Sequence, residues 1–450
     1  MGADGSLEGH LRSAVVPLEG ASHDHDALLE RIGNARFVLL GEATHGSHEL
    51  YRERARITKR LLEEKGFDAV AIEGDWPDVH RVNRWVNGTS ADRDADGALS
   101  SFARFPTWMW RNQEMLDFVR WLRAHNEARA SRPQARRKVD LYGLDLFSLH
   151  ASMNAVLTYL DRVDPPAAAR ARARYACFGH AGKDSTAYAY AAGLGLGTSC
   201  EDEVVRQLEE MSRRALEHAR RDGGSAGEEL FHVEQNARLV KNAEEYYRSM
   251  FRGATVTWNL RDRHMTDTLA AVVQHLDHEL HRTSKVCIWA HNSHLGDARA
   301  TEMAEEGELN VGQLVRERYG RDGFLVGFTT YEGEVSAASD WDSPVERKAL
   351  RPALEGSYEA LFHGLGLPAF SVLPDADGRL PAVLRKERLE RAIGVVYRPE
   401  TERRSHFFRA RLADQFDAVI HVDRTRAVEP LERSAPWHSP DAPDTFPFAV

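Results

Sequence analysis

Apolar and polar positions along this chain fall into blocks that read as strand, loop and helix. Phe37-Val38-Leu39-Leu40 is a short apolar run of the kind that forms a buried strand, and it gives way to the polar stretch Gly41-Glu42-Ala43-Thr44-His45-Gly46. Residues 48–64, HELYRERARITKRLLEE, place Leu50, Ile57, Leu61 and Leu62 at helical spacing, and Gly66 closes that helix. A second apolar run, Ala69-Val70-Ala71-Ile72, follows. The strand-helix-strand unit from Phe37 to Ile72, about 35 residues, has the length of a right-handed parallel crossover.

Two further runs repeat the pattern: Val139-Asp140-Leu141-Tyr142-Gly143-Leu144 and Val286-Cys287-Ile288-Trp289-Ala290. All four deliver ionisable residues at the same end. These are Glu42 and His45, then Glu73 and Asp75, then Asp145, and finally His291 and His294 flanking Asn292. In open parallel sheets ligands bind in the crevice outside the carboxyl ends of the strands. If the four strands are parallel neighbours, residues distant in sequence meet in one pocket.

Residues 76–125 are mostly helical in pattern, with the aromatic cluster Phe105-Pro106-Thr107-Trp108-Met109-Trp110 beside a helix start. From about 150 to 282 the alternation stops and long amphipathic helices take over, most clearly at 203–220, 228–251 and 260–282. An Ala/Tyr/Gly-rich segment, 165–200, contains a loop. Later strands are expected at Phe324–Phe328, Gly394–Tyr397 and Ala418–Val422, and the Pro-rich tail from Ser434 reads as coil. The fold class expected is α/β: a mostly parallel central sheet flanked by helices, with an inserted helical cap. Residues 1–150 and 283–450 would form two parts of the core, and 151–282 the insertion.

At 450 residues the chain exceeds the usual size of a single hydrophobic core, which suits a core with an elaboration. An apolar fraction of 42% and a charged fraction of 28% are those of an ordinary globular protein. The net charge of -10, with the arginine clusters diluted by acids, argues against nucleic acid or an anionic membrane as partner. The N-terminal stretch lacks the pattern of a secretory signal, and no apolar stretch approaches a membrane span. Cys177, Cys200 and Cys287 are scattered, show no metal-type spacing and leave one unpaired, which suits a reducing cytoplasm.

Several motifs read as structural. Gly223-Gly224-Ser225-Ala226-Gly227 matches the serine-hydrolase elbow, but a charged helix rather than a strand precedes it, so it is a connector. Gly193-Leu194-Gly195-Leu196-Gly197 lacks the preceding strand and the lysine of a phosphate loop. His275, Asp277, His278 and His281 occupy the polar side of an amphipathic helix and read as a solvated face, as does His23-Asp24-His25-Asp26.

His45, Glu42, Glu73 and His291 differ, because such groups at the end of a buried strand need a partner or a ligand. Two chemistries fit them. Either the histidines and glutamates hold a divalent metal that activates water, or His45 acts alone as a general base positioned by a carboxylate.

LLGEATHGSHELYRER (39–54), AIEGDW (71–76), FPTWMWRNQE (105–114), GLD (143–145), NLRDRHM (259–265), WAHNSHLGD (289–297) and QFDAVIHVDRTRAVEP (415–430) together resemble the erythromycin esterases. They occur in order and span most of the chain. The resemblance implies an α/β core with a deep cleft and hydrolysis of a macrolide lactone ester without a serine nucleophile; no cofactor is expected. Carried over by motif, it places the general base at His45 with Glu42 in the same loop. It places the essential glutamate at Glu73, the helix arginine at Arg54 and a second histidine at His291. Arg54 or His291 would donate to the oxyanion. Relatives with the same Gly-x-x-His start include metal-dependent peptidases, so a divalent metal stays open. Asp75, Trp76, Trp110, Asp145, Asn292, His294 and Tyr331 are expected as substrate contacts, with Trp108, Tyr246 and Tyr247 shaping a pocket for a lipophilic small molecule.

Overall fold

A computed structural model of the chain describes residues 11–131, 137–181, 188–189, 199–219 and 225–432. Its strands are β1 (Val15–Pro17), β2 (Phe37–Leu40), β3 (Ala69–Asp75), β4 (Asp140–Asp145), β5 (Val286–Trp289), β6 (Gly323–Ala338), β7 (Val345–Leu350), β8 (Ala369–Val372), β9 (Arg388–Arg391), β10 (Phe407–Ala410) and β11 (Ala418–Thr425). The main sheet has the order β1-β8-β11-β6-β2-β5-β3-β4, with β7 paired to β6. Its centre, from β11 through β4, is parallel; β1, β7 and β8 join antiparallel. The mostly parallel α/β architecture is the one the hydrophobic pattern predicts.

Along β2, β3 and β5 successive residues alternate between two cores. Phe37, Leu39, Ala69, Ala71, Val286 and Ile288 face one layer of helices; Val38, Leu40, Val70, Ile72, Cys287 and Trp289 face the other. Burial on both faces is why these strands are continuously apolar instead of alternating. Helices His48–Glu64 and Gln113–Ala130 cover the second face through Leu50, Ile57, Leu61, Met115, Phe118 and Leu122. The long helices between β4 and β5, among them Leu149–Val163, Ser225–Ser249 and Ala254–Leu280, cover the first.

Register fixes the site. Leu40 pairs with both Trp289 and Val326, and Ile72 with both Trp289 and Gly143, so the carboxyl ends of β2, β5, β3 and β4 lie level. Between Ile72 and Asp75 the pairing with β4 shifts, a bulge that re-aims Asp75. It needs glycine opposite, since a Cβ on Gly143 would stand 2.5 Å from the Gly74 carbonyl oxygen.

Several expectations differ from the fold. Gly394–Tyr397 is not a strand; Ile393 and Val396 make isolated bridges to Thr44 and Ala338, while Gly394 and Val395 turn to the cleft. β6 is 16 residues long, because beyond the parallel core it continues as a hairpin with β7. His25 and Asp24 are buried rather than solvated: His25 binds Glu53 at 3.0 Å, and Asp24 accepts from Arg56 and the Gly20 N–H. On helix Ala254–Leu280, His278 is exposed as expected, but His275 stacks on Phe231 at 4.1 Å. Cys177 and Cys200 are joined as a disulfide, which the reading of a reducing compartment did not foresee, and Cys287 is the buried free thiol. Of the 223–227 connector, Ser225, Ala226 and Gly227 instead begin helix Ser225–Ser249, and Gly223 and Gly224 lie outside the described residues. The 193–197 glycines and the tail from Ser434 lie outside the described residues. Among the described residues no helix is long and apolar enough to cross a membrane.

Candidate active site

At the end of β2 the chain turns sharply, and the hexapeptide carries Glu42 and His45 on adjacent turns. His45 Nδ1 lies 2.8 Å from Glu42 Oε1, and the other Glu42 oxygen lies 2.6 Å from Arg54 Nη2. Glu42 and Arg54 are wholly buried, and the Arg54 guanidinium is sandwiched near the Tyr51 and Trp289 rings. The Tyr51 hydroxyl bonds the His45 carbonyl at 3.0 Å and the Met109 carbonyl at 2.7 Å, which ties the loop down. With Nδ1–H donated to a carboxylate, His45 presents Nε2 to the cleft it lines.

Facing it is His291, ring centroid 4.9 Å away. The Ser293 N–H donates to His291 Nδ1 at 3.3 Å, so Nδ1 carries a lone pair and the ring proton sits on Nε2. That Nε2 is buried without a hydrogen-bond partner among the described residues. Burial first, then the neighbouring His45, pushes His291 well below the usual histidine range, so the ring is a neutral donor.

Glu73, at the end of β3, accepts the His291 backbone N–H at 2.9 Å on one oxygen and Arg261 Nη2 at 2.6 Å on the other. Burial pushes its pKa up, but the neighbouring His294, Arg261 and His45 outweigh that and hold it well below the carboxylate range. Arg261 also grips Asp145 through Nε at 3.0 Å and Nη2 at 2.7 Å, and its Nη1 lies 3.0 Å from His294 Nε2. His294 Nδ1 lies 2.9 Å from Asp262, and the ring is stacked on Trp258 at 4.5 Å. Asp75, gripped by Arg104 at 2.6 Å, has its pKa raised by burial and by Asp145 beside it.

The cleft is open to solvent and, counting its mouth, holds about 890 Å³ of empty space. His45, Glu73, Asp75, Trp110, Asp145, His291 and His294 line it together with the aromatic wall Phe102, Phe105, Phe147, Trp258 and Trp341. Other expected contacts are not there. Glu42 and Arg54 stand behind His45, so Arg54 backs the carboxylate instead of reaching an oxyanion. Trp76 turns into the helical layer, stacked on Tyr142, with its N–H on the His232 carbonyl. Asn292 is wholly buried and bonds the Phe328 backbone through both amide atoms. Tyr331 stacks on His363. Trp108 is fully buried, and Tyr246 and Tyr247 lie behind Phe147, the first ring-to-ring and the second through its hydroxyl.

The erythromycin esterase family model matches residues 62–425 of this sequence. The chain belongs to the erythromycin esterase family. Erythromycin esterase type II of Escherichia coli is 23% identical over 431 residues, covering 90% of this chain and 93% of the relative. The putative hydrolase YbfO of Bacillus subtilis is 22% identical over 357 residues, covering 75% and 74%. Among solved structures, a succinoglycan biosynthesis protein superposes with a TM-score of 0.74 at 19% identity, over 95% of this chain and 99% of that one. An erythromycin esterase mutant in its open conformation gives 0.63 at 16% identity, over 89% and 93%. Family membership supports a hydrolase role; the solved structures speak to the fold.

For this family member, the site residues that sequence reading missed are chiefly Arg261 and Asp262. Both stand in the NLRDRHM stretch that carries the family resemblance, yet nothing in the spacing of a 27-residue helix singles them out from its other charges. Arg104, Trp258 and Trp341 arrive from loops or helix starts and carry no local signal. The donor set does not fit a divalent metal. Both Glu73 oxygens are already engaged, the Arg261 cation stands beside them, and among the described residues no three His, Cys, Asp or Glu are arranged to hold an ion.

Proposed function

We propose that this protein hydrolyses a carboxylic ester of a small lipophilic molecule, of macrolactone type, with water activated by His45 and neither a serine nucleophile nor a metal. The observation that carries the reading is the line Arg54–Glu42–His45, which leaves Nε2 as a base in the cleft, opposite His291 Nε2, which has no hydrogen-bond partner among the described residues. Water attacks the ester carbonyl carbon while its proton passes to His45 Nε2. The carbonyl oxygen becomes an oxyanion and accepts from His291 Nε2–H. Collapse breaks the carbon–oxygen bond, and the imidazolium of His45 returns the proton to the departing alkoxide. Acid and alcohol leave, and the histidine is restored. A neutral imidazole suits the oxyanion role because its N–H can donate to the developing charge without first holding a counter-anion in its place.

The aromatic wall fits an apolar ring system, and the name of the Escherichia coli relative supports a macrolide as the first substrate to try, with antibiotic inactivation as the matching role. The test is incubation with a macrolide panel, read by mass for addition of one water, in parallel with simple aryl esters. His45→Asn abolishes turnover while the folded protein persists. Full activity in that variant refutes the base, and a stoichiometric metal lost together with activity on chelation replaces the mechanism with a metal-dependent one. Binding by calorimetry without conversion of any ester identifies a silent binding protein instead.

A further inference from the structure

Four segments of the chain meet at one side chain. Arg261, from helix Ala254–Leu280, reaches Glu73 of β3, Asp145 of β4 and His294 of the loop after β5, using Nε, Nη1 and Nη2 within 2.6–3.0 Å. Its guanidinium lies 5.0 Å from the centre of the Phe147 ring, which sets its plane. A guanidinium N–H donates, so a hydrogen bond here makes His294 Nε2 the acceptor, with Glu73 Oε1 also 3.4 Å from that nitrogen. The His294 proton then sits on Nδ1, directed at Asp262, which also accepts the Val311 N–H at 3.0 Å. The free oxygen of Glu73 takes the His291 N–H, so wherever Arg261 sets Glu73, the His291 backbone follows.

We propose that Arg261 is the positioning residue of this site. It pins Glu73, Asp145 and His294 into one rigid frame and thereby fixes the height of His291 over the reacting carbon. The role rests on the hydrolase reading above, but the frame is measurable without substrate. Lysine cannot reproduce it, because a point charge lacks the planar fork that serves three partners at once.

The test uses full-length protein with 15N-labelled histidine, the His294 signals being assigned by their loss in His294→Asn. Wild-type His294 shows a protonated Nδ1 and an unprotonated Nε2, and Arg261→Met and Arg261→Lys lose that signature. With any ester that the wild type turns over, Arg261→Met lowers kcat by about 100-fold with KM little changed, the scale of a misplacement near 1 Å. Arg261→Lys recovers part of that loss. Arg261→Met leaves two buried carboxylates without their counter-charge, so its melting is recorded first, and Arg261→Lys carries the comparison if the methionine variant does not fold. A wild-type His294 protonated on Nε2, or a folded Arg261 variant with wild-type kcat, overturns the proposal. Absence of turnover in the wild type refutes the hydrolase reading instead and leaves the signature to decide the frame.

Discussion

A Cβ built on Gly41 would stand 2.2 Å from Asn292 Oδ1, so the first residue after β2 is shaped by the third residue after β5. Asn292 has no room to retreat, since its amide spans the Phe328 N–H and carbonyl of β6. Gly41→Ala therefore forces the Glu42 loop and the His291 loop apart. The expected cost is about 1–3 kcal/mol of stability from overpacking, with activity lost disproportionately. Urea unfolding and kcat on the same preparation check it; unchanged values for both would remove the packing argument.

Glu42→Gln keeps the shape but gives His45 an amide partner, so the ring loses the anion that orients it and balances its cationic form. By analogy with other carboxylate–histidine pairs, kcat falls by about 10³-fold or more, with the fold retained. Arg54→Met acts differently. It leaves a carboxylate buried without its cation, for which a loss of about 3–5 kcal/mol is expected. A thermal melt that separates the two variants tests the division of labour.

His291→Asn alters the donor opposite the base without touching the His45–Glu42 pair. Loss of a well-aimed oxyanion donor lowers kcat by about 10²–10³-fold, while KM changes little. A variant with raised KM and normal kcat would assign His291 to substrate binding instead.

Three of the histidines away from the cleft contribute together to a pH dependence of stability. Burial, with Arg84 nearby, pulls His80 down to about 4; burial, with Arg137, does the same to His275. His232, stacked on His80 at 3.7 Å and buried, is pulled well below the ordinary value of 6.5 by burial and by the other two rings. Each is neutral in the fold where the unfolded chain already binds a proton. Between the ordinary value and about 4 the unfolded state therefore holds more protons, and stability falls as pH falls through that window. Urea midpoints at about pH 7.5 and about pH 5 measure the slope, and His232→Gln flattens it. An equal slope in that variant refutes the assignment.

How much of this was legible in the chain depended on whether the signal was local. The apolar runs gave β2, β4 and β5 to within a residue, whereas β3 continues three residues past its run, through the bulge to Asp75. His45, Glu73, Asp75, Asp145, His291 and His294 at those ends line the cleft, while Glu42 stands behind His45. Trp76 and Asn292 do not line it, because direction at a strand end depends on neighbours: one ring found Tyr142, and one amide found the Phe328 backbone. Arg261 was hidden because its partners lie 116 and 188 positions away along the chain. Its helix is apolar on one side and charged on the other, and the pattern does not tell a buried charge from a wet one.

The strand order has a consequence for how the molecule is made. β2 and β3 are joined by a short crossover yet never touch, because β5, begun more than two hundred residues later, is wedged between them. A nascent chain emerging from the ribosome thus carries a gap at the middle of its sheet until that late strand docks. Long-range closure of this kind is slow and leaves apolar edges uncovered meanwhile. The same insertion that closes the gap between β2 and β3 brings in His291 and His294, so the cleft acquires its two late histidines only with that strand.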